Sequence, residues 1–168
     1  MSIAQNLIAE FGQEVAATRR LLEAVPEDKL DWQPHEKSMT LGRLAGHIAE
    51  SAGWVNAMMA EELNFGGEAA AQFEPFTATN RAELLATFDG TAAGYAPALN
   101  GKDDAFMMQT WKLKNGDKEL IAAPRGAAIR SFTISHLIHH RGQLTVYLRL
   151  LGTPVPSTYG PTADFPDF

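Results

Sequence analysis

The stretch Ser135-His136-Leu137-Ile138-His139-His140-Arg141-Gly142-Gln143 holds three of the chain's five histidines and lies within an apolar run that reads as a helix. On an α-helix, His136 and His140 stand about 40° apart around the axis and about 6 Å apart along it, close enough to share one metal ion. On a wheel of about 100° per residue, Ile129, Phe132, Leu144, Tyr147, Leu150 and Leu151 fall in one arc with His136 and His140 at its centre. His139 lies at the edge of that arc, and Arg141, Thr145 and Arg149 lie opposite. The reading is a helix running from Pro124-Arg125-Gly126 to Leu151, stopped by Gly152 and Pro154, that turns two imidazoles inward. A lone inward histidine is most simply one satisfied by hydrogen bonds. Two adjacent ones point to a site.

Three further segments carry the helical period. Ile3, Leu7, Phe11, Val15, Leu22 and Val25 mark a first helix that ends before Pro26. Asp28 to Met39 has no period and reads as a loop, with Ser38 or Thr40 placed to cap the next helix. A second helix is expected from about Leu41 to Leu63, with Leu41, Leu44, Ile48, Ala52, Val55 and Met59 on one face and His47, Ser51, Trp54 and Met58 on its flank. Asn64-Phe65-Gly66-Gly67 ends it. A third starts at the cap Asn80 with Glu83 three residues on, turns Leu84, Phe88, Tyr95 and Leu99 inward, and closes at Asn100-Gly101. Between Ala105 and Ala123 the pattern alternates, and Asn115-Gly116 predicts a small β-hairpin with a type I′ turn. Pro154 to Phe168 reads as an extended tail over the bundle.

Composition narrows the function. The 168 residues, 45 % of them hydrophobic, suit one domain over 1–168. A formal charge of −6, from 14 basic and 20 acidic residues, lacks the positive field of a nucleic-acid binder. With no cysteine there is neither a disulfide framework nor a thiolate, leaving histidine and carboxylate as the strong metal ligands. The amphipathic amino terminus and the absence of an apolar run approaching roughly 18 residues predict a soluble, cytoplasmic protein with no membrane partner. His47, on the flank of the second helix, can meet His136 and His140 across a bundle. Three neutral imidazoles suit zinc or nickel first, with iron or manganese as further candidates, and leave a coordination position for water or substrate.

His47 within Leu44-Ala45-Gly46-His47-Ile48-Ala49-Glu50, the later His136-x-x-x-His140-Arg141-Gly142-Gln143-Leu144, and the tail Gly152-x-x-x-Pro156-x-x-Tyr159-Gly160-Pro161 together resemble the DinB-like (YfiT-like) metalloenzymes. The resemblance covers nearly the whole chain, including the Trp32-x-Pro34 loop. It implies a four-helix bundle in up-down-down-up order, a divalent metal held by His47, His136 and His140, and a homodimer. Parallel second and third helices need a long return, and residues 64–79 can span about 50 Å if extended. The resemblance also implies a reaction on a small molecule: thiol-dependent S-transfer, isomerisation with a low-molecular-weight thiol, or metal-dependent hydrolysis. In each case the metal lowers the pKa of a bound thiol or water and presents the anion to an electrophile.

Against an enzyme stands a metal-binding or structural protein whose ion merely cross-links helices. Such a site is closed by a fourth protein ligand, for which Glu50 and His139 are the candidates. Both are expected to face away, Glu50 to solvent and His139 to the edge, while His35 beside Pro34 reads as an exposed loop residue. Tyr147 and Trp54 share the arcs of the ligands and are candidates to line a substrate pocket, or simply core. Ile134 and Ile138, on the otherwise polar back of the last helix, suggest a dimer contact.

Overall fold

The computed structural model describes residues 1–66 and 74–167. The chain starts with α1, Ile3–Glu23, capped by Ser2 in a reciprocal box with Gln5. Thr40, not Ser38, caps α2, Leu41–Ser51. Asn80 caps α3, Arg81–Leu99, by accepting a hydrogen bond from the Glu83 amide, and Leu84, Phe88, Tyr95 and Leu99 are its buried residues, as their spacing predicts. A short α4, Asp104–Met108, leads into the hairpin of β2, Thr110–Asn115, and β3, Lys118–Pro124. The last helical run comprises α5, Arg125–Ile129, a π-helical turn, Arg130–Ser135, and α6, His136–Leu150.

Helix directions follow from the side chains that bridge them. Arg19 on α1 pairs with Asp89 on α3, and Arg81 at the start of α3 reaches the Val25 carbonyl beyond the end of α1, so these helices run antiparallel. Thr91 donates to the Ala49 carbonyl and the Ala78 amide to the Gly42 carbonyl, making α2 and α3 parallel. Tyr147 reaches the Met39 carbonyl while Arg125 reaches that of Met58, so the last helical run opposes α2. Arg130 with Glu10 and Arg141 with Glu14 align it with α1. The result is the up-down-down-up bundle, a hairpin before the last helix, and an extended tail. That tail is anchored by buried Val155, whose amide donates to Asp164. No described helix is long and apolar enough to cross a membrane.

Four local expectations change. The second helix stops at Ser51, and Ala52–Val55 and Ala57–Met59 form 3₁₀ turns. Ala52, Val55 and Met58 are buried at steps of three, which matches a helix of three residues per turn. Leu63, expected at the end of that helix, lies in β1, Glu62–Asn64, which pairs parallel to β2. Gly67, part of the expected stop, lies outside the described residues. The hairpin turn is Gly116-Asp117, since Asn115 pairs with Lys118, and only Gly116 has positive φ (60°), so it is not type I′.

The remaining change concerns the last helix. A π turn carries an extra residue, so a single wheel drawn across residues 130–135 puts the two ends out of phase. The buried stripe of α6 is Leu137, Arg141, Leu144 and Leu148, with His136 and His140 on its flank rather than at its centre. Arg141, expected outside, is 2 % exposed, whereas Leu150, expected inside, is 61 % exposed. Ile134 is fully buried and Ile138 packs against the core, so neither offers the exposed apolar face on which the dimer contact rested.

Candidate metal centre

One helix from each side of the bundle supplies the site. α2 carries His47, buried at 9 % exposure, and antiparallel α6 carries His136 and His140 on its facing flank. Ring centroids lie 5.0 Å apart for His47 and His136, 4.5 Å for His47 and His140, and 4.4 Å for His136 and His140. One donor atom from each residue falls within 4.8 Å of the others, and no further histidine or carboxylate among the described residues joins the group. Trp54 closes one side, its ring 5.2 Å from His47 and 5.0 Å from His136.

Hydrogen bonds behind the rings decide which nitrogens face the centre. His47 Nδ1 lies 3.0 Å from Glu50 Oε1 and 3.3 Å from Arg43 Nη2; the shorter contact is to a carboxylate, which can only accept, so Nδ1–H is the donor to Glu50. That leaves the Nε2 lone pair of His47 turned inward, 2.8 Å from His136 Nε2. The His140 Nδ1–H likewise donates to Gln143 Oε1 at 2.7 Å, freeing its Nε2. Each of these partners sits three residues after its histidine, on the same helix face. Burial first, then the neighbouring His140, His47 and His139 imidazoles, lowers His136 to about 4. Burial also lowers His140. Both are therefore neutral near pH 7, as a metal ligand must be.

The donor set fits a divalent ion. Tetrahedral coordination with metal–nitrogen bonds near 2.0–2.1 Å separates ligand nitrogens by roughly 3.3 Å. The 2.8 Å contact lies below that separation and the 4.8 Å bound above it, so small ring adjustments bring the set to it.

Glu50 does not face solvent as its sequence position suggested. Its side chain is 10 % exposed, covered by the segment leading into α3. Oε1 also accepts from Arg43 at 2.9 Å, and Oε2 accepts from the Phe76 amide at 2.8 Å. Burial pushes this carboxyl up, yet the bonds from His47, Phe76 and Arg43 together hold it below its ordinary value. His139 is exposed beside His140, and His35 is an exposed loop residue that accepts from the Lys37 amide. Tyr147 anchors the loop before α2, bonding the Met39 carbonyl and meeting Trp32 edge-on.

Residues 1–166 match the DinB family profile. The chain belongs to the DinB family. Among curated relatives, the uncharacterized protein YrdA of Bacillus subtilis (strain 168) is 28 % identical over 152 residues, covering 90 % of this chain and 84 % of YrdA. A DinB-like protein from Bacillus cereus ATCC 10987 superposes with TM-score 0.71 at 20 % identity, over 92 % of this chain and 97 % of that one. YfiT from Bacillus subtilis, described as a probable metal-dependent hydrolase with an unusual four-helix bundle topology, superposes with TM-score 0.64 at 15 % identity, over 89 % and 87 % of the two chains. At these identities the structural likeness speaks for the shared bundle.

Proposed function

We propose that this DinB protein is a metal-dependent hydrolase in which Nε2 of His47, His136 and His140 hold one divalent ion, zinc or nickel by the character of the donors. The observation that carries the reading is a set of three imidazoles without a fourth protein donor among the described residues. Structural sites are closed by four protein ligands, whereas catalytic ones keep a position open. When bound there, an ion would supply Lewis acidity, lowering the pKa of water toward neutrality and polarising a carbonyl. Around it, Glu50 and Gln143 fix the ring orientations of His47 and His140, and Trp54 supplies an apolar wall. The description of YfiT as a probable metal-dependent hydrolase supports the same chemistry.

Transfer through a small thiol is the reading that family resemblance places beside it. A thiol cosubstrate bearing carboxylates needs a cation free to receive them. Arg43 is engaged by Glu50 and the Phe76 carbonyl, and Arg141 is buried against Glu14, so neither is available. This favours water as the nucleophile. The test is turnover by metal-stripped and zinc- or nickel-reloaded protein on ester and amide panels, alongside electrophiles offered with small thiols. Hydrolysis that appears only on reloading is the expected result. Turnover only with a thiol would replace hydrolysis by S-transfer, and no turnover in any arm with the ion bound would reject the enzyme reading in favour of a metal-binding protein.

A further inference from the structure

The segment before α3 lies directly on α2, and glycine makes the approach possible. A Cβ on Gly46 would collide with the Phe76 carbonyl oxygen, and one on Gly42 would fall 2.8 Å from that of Ala78. Residues 74–79 thus run in a shallow groove over the helix that carries His47. Both polar groups of the Phe76 backbone are held there. Its N–H donates to Glu50 Oε2 at 2.8 Å, and its carbonyl accepts from Arg43 Nη1 at 3.0 Å. Arg43 Nη2 in turn donates to Glu50 Oε1, the oxygen that also accepts the hydrogen bond from His47 Nδ1–H.

We propose that Glu50 is a positioning residue that couples the three-histidine site to this strap: one oxygen fixes the His47 imidazole and the other fixes Phe76, so filling the site and docking residues 74–79 stabilise each other. The inference rests on the reading that the histidines hold a metal. Glu50 lies behind the His47 ring, on its Nδ1 side, so it acts through His47 and not as a ligand. Partners of a ligating histidine typically change metal affinity by about 10- to 100-fold. Here the same carboxylate is also a strap contact, and linkage makes the effect reciprocal.

The test measures zinc affinity by chelator competition and Phe76 amide hydrogen exchange by NMR, in the wild type, Glu50→Gln and Gly46→Ala. In the wild type, zinc should slow Phe76 exchange by about tenfold or more, within the usual range of coupling between sites. Glu50→Gln keeps one acceptor oxygen where two are needed, so zinc affinity should fall by about 10- to 100-fold and zinc should no longer slow Phe76 exchange. Gly46→Ala strengthens the helix locally but pushes the strap away without touching Glu50 or the histidines. Its zinc affinity should fall and its Phe76 amide should exchange faster, which a purely local effect of Glu50 on His47 would not produce. Wild-type protein that binds no zinc would sink the metal reading and this coupling together. Zinc binding that leaves Phe76 exchange unchanged, or that is as tight in either variant as in the wild type, would overturn the coupling alone.

Discussion

His140 and Arg141 are neighbours on α6, yet they face different halves of the bundle and meet opposite fates. Toward α1, Arg141 enters a closed cluster. Its Nη2 lies 2.7 Å from Glu14 Oε2, Nη1 donates to the Thr18 hydroxyl at 3.1 Å, and the Tyr159 hydroxyl from the tail caps the same Glu14 oxygen at 2.8 Å. The guanidinium also lies 4.9 Å from the Tyr159 ring centre. Toward α2, His140 joins His47 and His136, where the backs of two rings are tied but the front nitrogens converge on each other. A buried polar cluster whose charges are matched internally holds a fold together. One that gathers lone pairs around a common point asks for a cation.

The first way to break this comparison is Arg141→Ala. It leaves the Glu14 carboxylate buried without its counter-charge, and should cost about 3–5 kcal/mol in urea unfolding, while the folded protein keeps its zinc affinity. Replacing Glu14 and Arg141 together by apolar residues of similar volume should restore most of that loss. A fall in zinc affinity with Arg141→Ala would mean that the two clusters act as one unit.

A second prediction uses protons in place of mutations. His136 titrates near 4 in the folded chain against 6.5 for the free group, so between these values the unfolded state binds more protons. The stability that His136 contributes to the metal-free protein is therefore fully present above about 6.5 and is lost as pH drops toward 4. His140, also lowered, adds to the same slope, and Glu50, held below its ordinary value, adds to it at the acid end. Urea midpoints across this range should fall less steeply for His136→Ala than for the wild type; equal slopes would contradict the assignment. The Glu14–Arg141 half supplies the smallest effect. Tyr159→Phe removes one hydrogen bond to Glu14 from a residue that is 65 % exposed, and should cost about 1 kcal/mol. A loss several times larger would make the tail contact as important to the fold as the ion pair itself.

The histidine half was the more legible of the two from sequence. His136 and His140 announce themselves by spacing, and the motif around His47 completes the set. Asn80 with Glu83, and Leu84, Phe88, Tyr95 and Leu99, likewise read directly, because caps and helical periods are local. From sequence, Glu50 is weighed only as a fourth ligand and Gln143 is not singled out, although each stands at i+3 from a histidine, the spacing that puts partners on one face. Glu50 looked solvent-facing because the strap that covers it arrives from more than twenty residues away. Arg141 reads as outward for a similar reason: only the fold brings Glu14 to it, and without that partner a buried arginine is implausible. The π turn before His136 carries no simple local pattern, and a uniform wheel drawn through it displaced Leu150 and Ile134 as well.

The most direct measurement is the metal content of gel-filtered protein after zinc loading, comparing the wild type with a folded His136→Ala variant. Close to one ion per wild-type chain and almost none in the variant is the predicted result. Equal metal content in the two proteins, or none in the wild type, would contradict a single ion held between α2 and α6.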